Sequence, residues 1–88
     1  MAKIVVKSTD MDQEMLEFAF ATVQGAVEKY NSEKEIAQEM KRMFEAKYFP
    51  IWHCIVGRKF SSYVTHEAKH YAYFYMGQMG VMIFKSAS

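Results

Sequence analysis

The first half of the chain carries apolar side chains at helical spacing. Asp10 or Asp12 offers an N-cap, and from there to about Tyr30 one arc of the helical wheel is apolar at 100° per residue. The members of this arc are Met15, Leu16, Ala19, Phe20, Val23, Ala26, Val27 and Tyr30. The pattern predicts a long amphipathic helix that packs on a core through this arc.

Phe18 departs from this pattern. On the same wheel its ring lies roughly 120° from the centre of the apolar arc, on the side of Glu14, Thr22 and Gly25. This position predicts an exposed ring outside the core. Two interpretations stay open: a second contact surface for a partner or a membrane, or a single exposed apolar residue of a kind common on soluble proteins.

A second helix is predicted directly after the first. Ser32 to Glu35 has the sequence of a capping box, with Ser32 as N-cap and Glu35 reaching back to it. An apolar stripe follows at helical spacing and consists of Ile36, Met40, Met43, Phe44 and Tyr48. Pro50 cannot continue a helix and disfavours helical backbone at the residue before it. The second helix is therefore expected to end before Pro50.

The rest of the chain consists of short runs of strand-forming residues. One run precedes the first helix at residues 4–6 and ends at the polar residues 8–10, and four follow Pro50, at residues 52–56, 60–65, 71–76 and 81–84. Gly77 and Gln78, between the last two runs, predict a tight hairpin turn. The order β-α-α-β-β-β-β predicts one α+β domain, residues 1–88, in which two helices pack on a mostly antiparallel sheet.

Composition adds an argument for self-association. A chain of 88 residues buries only about 60–65% of its unfolded surface, so its own core is marginal. Yet 51% of the residues are hydrophobic and 16% are aromatic, and a dimer is the simplest way to bury the excess. The 11 Lys and Arg against 10 Asp and Glu disfavour a dedicated nucleic-acid-binding protein, which carries a clustered basic surplus.

Cysteine usage and hydropathy indicate a cytoplasmic protein. Cys54 is the single cysteine and cannot form an internal disulfide, which is typical of a reducing compartment. Lys3 is followed by only three apolar residues, so we expect no signal peptide. The longest apolar run, residues 71–84, is shorter than the roughly 20 residues that span a bilayer. We therefore expect no membrane-spanning segment.

His66, Glu67 and His70 match the H-E-x-x-H zinc motif, in which two histidines on one helix face bind zinc and the glutamate acts as general base. Here the motif lies between two strand-like runs with no room for a helix. In a strand or a short loop the two imidazoles do not share a face in that manner. The segment predicts a charged loop between strands, with a zinc hydrolase as a remote alternative. We expect no metal and no other cofactor.

Two further groups of residues have structural interpretations. His53 and Cys54 are adjacent on a predicted strand and point to opposite faces, so they cannot form a catalytic dyad with each other. Tyr71, Tyr73 and Tyr75 alternate and share one sheet face. Such a face can stack RNA bases, but the balanced charge favours a packed or protein-binding face.

Residues 60–65 combine small polar side chains with the β-branched Val64 and Thr65 and carry no acidic charge. At a sheet edge such a strand offers its backbone to an incoming extended peptide. In mid-sheet it is an ordinary strand. The residues alone leave both interpretations open.

A series of short runs, in order and without gaps between positions 11 and 86, connects the chain to a known family. They are Glu28-Lys29-Tyr30-Asn31, Glu33-Lys34, Lys47-Tyr48, Trp52-His53-Cys54-Ile55-Val56-Gly57-Arg58, Tyr63-Val64-Thr65-His66-Glu67, Lys69-His70, Tyr73-Phe74-Tyr75 and Phe84-Lys85-Ser86. With these runs the chain resembles the small cytoplasmic dynein light chains of the LC-eight type.

The resemblance implies a two-fold homodimer in which the strand at residues 60–65 is exchanged into the sheet of the partner subunit. Each of two identical grooves, between the exchanged strand and the second helix of the partner subunit, then binds a disordered client peptide as an added antiparallel strand. Clients with a Thr-Gln-Thr-like core, among them the dynein intermediate chain, are the expected partners. The client glutamine would meet the first turn of the second helix, where unpaired N–H groups and Lys34 can contact it. The implied protein is a cytoskeleton-associated adaptor of the microtubule motor complex and not an enzyme.

The resemblance also assigns residues to the two surfaces. The implied peptide-binding residues are Glu33, Lys34, Phe60, Ser61, Ser62, Tyr63, Val64, Thr65, His66, Tyr71, Tyr73 and Tyr75. The implied dimer-interface residues are His53, Arg58, Lys59, Phe60, Ser62, Tyr63, Thr65, His66 and Ser86.

Several positions depart from the family pattern. Lys59 and Ser61 stand where the family usually has Asn and Gly, Tyr71 replaces a usual Phe, and Ser32 replaces an apolar residue. Ser61 fills space in the groove strand, so we expect a shifted client preference. A specialised paralogue acting outside dynein, as a structural or membrane-associated coat protein, stays open as the alternative function.

Overall fold

The computed structural model describes residues 3–58 and 69–86 of the chain. The elements it contains occur in the order β1 (Ile4–Thr9), α1 (Gln13–Lys29), α2 (Glu33–Tyr48), β2 (Trp52–Gly57), β3 (Lys69–Met76) and β4 (Met79–Lys85). The strand predicted at residues 60–65 lies outside the described residues. So do the site residues assigned to it and its flanks, which are Lys59, Phe60, Ser61, Ser62, Tyr63, Val64, Thr65 and His66.

The strands form one sheet in the order β1-β3-β4-β2, and every pairing among the described residues is antiparallel. The predicted α+β fold, with two helices on an antiparallel sheet, is confirmed. Gly77 takes a positive φ of 64° in the turn between β3 and β4, a backbone conformation that glycine adopts without strain. This turn closes the predicted hairpin and aligns Met76 with Met79. The outer strands of the described sheet are β1 and β2.

Local capping signals position both helices as the sequence predicts. Asp12, and not Asp10, caps α1, because its Oδ1 accepts a hydrogen bond of 2.8 Å from the Met15 N–H. Ser32 caps α2 by accepting from the Glu35 N–H at 3.1 Å. Glu35 reaches back as expected, although its carboxylate accepts from the Ser32 hydroxyl, at 3.0 Å.

The core lies between the helices and one face of the sheet. Its largest fully buried side chains are Trp52, Phe44, Phe74, Met40, Ile83, Val23 and Val81. The apolar arc of α1 and the stripe of α2 supply the helical side of this core, with Ala19 and Ala26 from the first and Ile36 from the second also buried. Both helical patterns in the sequence are therefore confirmed as core-facing surfaces.

Phe18 is half-buried against α2, so its predicted exposed position was wrong. Its ring centroid lies 5.1 Å from that of Phe44 and 5.7 Å from that of Tyr48, both in edge-to-face geometry, and the Lys47 ammonium lies 4.5 Å from the ring centroid. Thr22, on the same side of α1, is also buried. The helical wheel failed because α1 contacts the sheet on one flank and α2 on another, which widens its buried surface beyond a single arc.

Several strand boundaries also differ from the prediction. β1 extends to Thr9 where a break was expected, and His70 belongs to β3 where a loop was expected. Pairing of Ser8 with Tyr73 and of Thr9 with Ala72 extends β1. The Asp10 carboxylate accepts hydrogen bonds from the Tyr71 N–H at 2.6 Å and the His70 N–H at 3.3 Å. His70 has a positive φ of 51°, and the β3–β4 register is irregular between Lys69 and Ala72. Asp10 thus anchors the start of β3 and does not cap α1.

An ion-pair cluster connects the end of α1 with α2. Glu39 is only 9% exposed, and its carboxylate accepts from the Arg42 guanidinium at 2.8 and 3.2 Å, with the Lys29 ammonium 3.8 Å away. The hydrogen bond from Arg42, which outweighs the opposing effect of burial, holds the pKa of Glu39 below its usual value. The folded state therefore favours the ionised carboxylate.

This cluster predicts a pH-dependent contribution to stability. A lowered folded-state pKa stabilises the protein above the unfolded-state value near 4.5, and the stabilisation disappears as the pH falls through the folded-state value. Urea denaturation at one fixed protein concentration, from pH 7 to pH 3, should show wild type more stable than Glu39→Gln at pH 7, with the difference shrinking below about pH 4.5. Glu28→Gln, which removes an exposed carboxylate of α1, is the matched control. A Glu39→Gln difference that stays constant with pH would contradict the cluster's role.

Candidate functional site

The sheet face opposite the helices carries aromatic and apolar side chains. Tyr71, Tyr73 and Tyr75 are half-buried on this face and alternate with buried residues that point to the core, which confirms that the three tyrosines share a face. We define the open face as Val5, His53, Ile55, Tyr71, Tyr73, Tyr75, Met82 and Phe84, which the strand registers bring to the same side.

The open face has a hydrophobic centre without a covering element among the described residues. Met82 aligns with Tyr73 of β3 on one side and with Ile55 of β2 on the other, and it is only 2% exposed. Ile55 itself is 47% exposed. His53 is exposed and stacks on Phe84 with ring centroids 5.3 Å apart. Apolar and aromatic side chains therefore lie next to each other across β3, β4 and β2 on this face.

The tyrosine side of the open face is organised by hydroxyl contacts. The rings of Tyr73 and Tyr75 meet edge to face at 5.7 Å, and their hydroxyl oxygens lie 3.4 Å apart. The hydrogen bond with Tyr73 raises the pKa of Tyr75, so its hydroxyl stays protonated at neutral pH. Tyr71 shares a hydrogen bond of 2.8 Å with the Ser8 hydroxyl. A cleft of about 460 Å³ runs along this side and is lined by Val5, Lys7, Tyr73, Tyr75 and Gly77.

A second, larger cleft lies at the start of α2. It has a volume of about 590 Å³ and is lined by Asn31, Ser32, Glu33, Ile36, Arg58, Met76, Gly77, Gln78 and Met79. The cleft brings together Glu33 and Arg58, two residues that sequence reasoning assigned to different surfaces. The first-turn N–H groups of a helix have no intrahelical acceptor, and Ser32 satisfies that of Glu35. The N–H groups of Glu33 and Lys34 belong to the same first turn of α2.

The two clefts meet at one point of the fold. Gly77, in the turn between β3 and β4, lines both of them. Lys34 is exposed in the first turn of α2, on the helical side of the sheet, whereas Tyr71 and its companions lie on the opposite face. Within one chain Lys34 therefore lies apart from the tyrosines, whereas the predicted groove combines elements of two subunits. Sequence reasoning missed Gln78 and Met79 as cleft residues, because nothing local connects a hairpin turn with a helix start far from it in sequence.

The outer edge of β2 offers backbone groups for strand pairing. The Ser86 N–H donates to the Ile51 carbonyl at 2.9 Å, and from there the residues of β2 alternate between facing β4 and facing outward. The backbone N–H and C=O groups that point outward are those of Trp52, Cys54 and Val56. The N–H and C=O of Trp52 are bonded to side chains of α2, while those of Cys54 and Val56 have no acceptor or donor within the described part of the chain.

His53 and Cys54 do not form a nucleophilic dyad with each other. Burial raises the pKa of the Cys54 thiol to about 12, so at neutral pH the thiolate needed for nucleophilic attack is scarce. Cys54 and the exposed His53 point to opposite faces, as predicted. Residues 3–58 and 69–86 contain no group of three or more His, Cys, Asp or Glu side chains that could hold a metal ion. His66 and Glu67 of the zinc-like motif lie outside that range.

None of the described helices combines the length and the apolarity needed to cross a membrane.

Comparisons with known proteins agree with this architecture. A family model described as Dynein light chain type 1 matches residues 3–86. The dynein light chain-like domain of the Fasciola hepatica calcium binding protein FhCaBP2 is similar in structure, with a TM-score of 0.84 and 20% sequence identity over 97% of this chain and 92% of that chain. The DLC-like domain of CsTAL3 has a TM-score of 0.81 and 12% identity over 97% of this chain and 94% of that chain. At these identities the two structures show the fold, while the family match covers nearly the whole chain.

Proposed function

Because the chain belongs to the dynein light chain type 1 family, we propose that it is a non-catalytic, homodimeric adaptor that binds disordered client peptides as added β-strands. Members of this family usually form homodimers that bind peptides. In this proposal residues 1–88 form one cytoplasmic, cytoskeleton-associated domain, and the dynein intermediate chain is one client.

The observation that carries the proposal is the open face. Helices cover one side of the sheet, whereas the other side presents Met82 and the 47% exposed Ile55 between aromatic rings. A two-fold dimer brings the same patch of both copies together, so each copy buries the apolar surface of the other. The dimer thereby buries exposed hydrophobic residues that the fold of one chain leaves uncovered.

The outer edge of β2 supports the exchange of a strand between copies. Cys54 and Val56 each direct an N–H and a C=O outward, and an edge with such groups pairs readily with a strand from another chain. In the proposal the strand at residues 60–65 of the second copy takes this place. The outer edge of this exchanged strand then pairs with the client peptide.

The cleft at the start of α2 supports recognition of a client glutamine. A glutamine side-chain oxygen can accept hydrogen bonds from the N–H groups of Glu33 and Lys34, and the alkyl stem of Lys34 can cover the amide. The cleft volume of about 590 Å³ falls within the usual range for ligand sites, about 300–1,000 Å³. Because a dimer has two such sites, a second docked peptide of the same client binds at high effective concentration.

The proposed residues are those that the resemblance to the family implies. Peptide binding is assigned to Glu33, Lys34, Phe60, Ser61, Ser62, Tyr63, Val64, Thr65, His66, Tyr71, Tyr73 and Tyr75. The dimer seam is assigned to His53, Arg58, Lys59, Phe60, Ser62, Tyr63, Thr65, His66 and Ser86.

Calorimetric titration with a Thr-Gln-Thr peptide tests the function. Wild type should bind one peptide per subunit, and Lys34→Ala should weaken binding about tenfold, which corresponds to about 1.4 kcal/mol, because the client amide loses its cover. Lys29→Ala, which removes an exposed lysine from α1 outside both clefts, is the matched control with unchanged affinity. Equal affinities of Lys34→Ala and wild type would move the groove elsewhere.

An array of disordered peptides extends the same test to client identity. Capture of the dynein intermediate chain segment supports a role in the motor complex. Capture of other peptides without it supports the specialised role outside dynein. Stoichiometric zinc in the purified protein, measured alongside, would instead favour the hydrolase interpretation of His66, Glu67 and His70.

A further inference from the structure

Two side chains of α2 occupy the outer edge of β2 at its first residue. The Glu45 carboxylate accepts a hydrogen bond of 3.0 Å from the Trp52 N–H, and the Lys41 ammonium donates one of 3.0 Å to the Trp52 carbonyl. Lys41 and Glu45 also form an ion pair with each other, one helical turn apart. Both outward backbone groups of Trp52 are therefore taken by this pair.

The next outward residues of β2 are different. Cys54 and Val56 direct their N–H and C=O groups to the same edge, and no side chain within the described residues is bonded to them. The edge of β2 is thus closed at Trp52 and open at Cys54 and Val56. The hydrogen bond from Lys41, and next the one from the Trp52 N–H, lowers the pKa of Glu45, so the carboxylate stays ionised and keeps its place at neutral pH.

This asymmetry matters because strand pairing has a two-residue period. A slip of an added strand by one residue turns its side chains to the wrong face and is strongly disfavoured. A slip by two residues keeps every side chain on its correct face, so the hydrophobic pattern does not oppose it. A two-residue slip toward the start of β2 would need the outward groups of Trp52, which are already bonded to α2.

We propose that Lys41 and Glu45 act as a register stop, which limits an added strand to the edge at Cys54 and Val56 and blocks its slip toward Trp52. The added strand is contributed by a second copy of this chain, so the inference rests on the proposed function. Lys41 and Glu45 are positioning residues in this arrangement, since they set the register of subunit exchange without belonging to the peptide site.

Mixed dimers test the register directly. One copy is labelled with ¹⁵N and ¹³C and refolded together with an unlabelled copy, and isotope-filtered NMR then detects contacts between labelled amides and the unlabelled copy. In wild type the amides of Cys54 and Val56 should contact the unlabelled copy, and the Trp52 amide should show no strand-pairing contact to it. In Lys41→Ala/Glu45→Ala a second set of β2 resonances should appear, with intermolecular strand-pairing contacts from Trp52.

A matched pair of substitutions controls for the loss of helix contacts. Gln13 and Glu17 form a hydrogen bond of 2.7 Å at the same i, i+4 spacing on α1, and both side chains are exposed, so Gln13→Ala/Glu17→Ala should keep the wild-type pattern. If the double variant at Lys41 and Glu45 does not fold, Lys41→Met frees the Trp52 carbonyl alone and should give a smaller second population.

The outcomes distinguish failure of the register stop from failure of the proposed function. A folded dimeric variant with one set of β2 resonances and no intermolecular contact from Trp52 overturns the register stop. The proposed function stays intact in that case, because Lys41 and Glu45 then only join α2 to β2. A wild type that stays monomeric throughout overturns the proposed function and the register stop together.

Discussion

Replacing Phe18 by alanine is expected to lower the free energy of unfolding by about 2–3 kcal/mol. A fully buried phenylalanine costs about 3–5 kcal/mol on truncation to alanine, and Phe18 is half-buried. The truncation also removes the edge-to-face contacts with Phe44 and Tyr48, which contribute about 0.5–1.5 kcal/mol each beyond their area. Urea denaturation at one fixed protein concentration measures the loss.

Phe49 provides the matched control for this prediction. It is the same residue type but is 77% exposed after the end of α2, so Phe49→Ala should change stability by no more than about 0.5 kcal/mol. Peptide affinity should stay unchanged in both variants, because neither residue lines a cleft. A Phe18→Ala loss as small as that of Phe49→Ala would contradict the packing between α1 and α2.

Replacing Ile55 by aspartate is expected to weaken dimerisation by at least about a hundredfold, or about 2.7 kcal/mol. Ile55 lies on the open face in the same register row as the buried Met82. In a two-fold interface the substitution introduces one carboxylate from each copy into an apolar contact, where an unpaired charge is strongly unfavourable. Sedimentation velocity over a dilution series measures the dissociation constant of both proteins.

Val6→Asp is the control for Ile55→Asp. Val6 is a β-branched residue with a similar exposure of 40%, but it pairs with Phe74 of the core-facing register and lies on the outer strand β1. Val6→Asp should leave the dimer intact. If Ile55→Asp remains dimeric while wild type is dimeric, the subunits meet through another surface. A compact monomer in the wild type at micromolar concentration would contradict the homodimer itself.

Local signals allowed most of the elements to be predicted. Ser32 marks the start of α2 because a capping side chain acts on N–H groups only two or three residues away. Gly77 marks the hairpin because its backbone conformation is set within the turn. Where two local signals competed, as Asp10 and Asp12 did for the cap of α1, the sequence left the choice open. The tertiary structure resolved it, because Asp10 is bonded to β3.

The candidate site was predicted only in parts. The shared face of Tyr71, Tyr73 and Tyr75 follows from strand alternation alone, and the resemblance to a known family supplied the roles of Glu33 and Lys34. Glu33 and Lys34 lie on the helical side of the sheet and the three tyrosines on the other side, because α2 packs on the face opposite the tyrosines. Strand alternation cannot report that.

The sequence by itself determined the two helices, their caps, their main apolar faces and the hairpin turn at Gly77, because periodicity, caps and turn residues act over a few neighbouring positions. Only the tertiary structure decided the strand order β1-β3-β4-β2, the burial of Phe18 by a second helix and the closure of the β2 edge at Trp52 by Lys41 and Glu45. Each of these depends on which element comes to lie beside another. Hydrophobic burial brings the elements together and is non-directional. The sequence of one segment therefore does not specify which other element packs beside it.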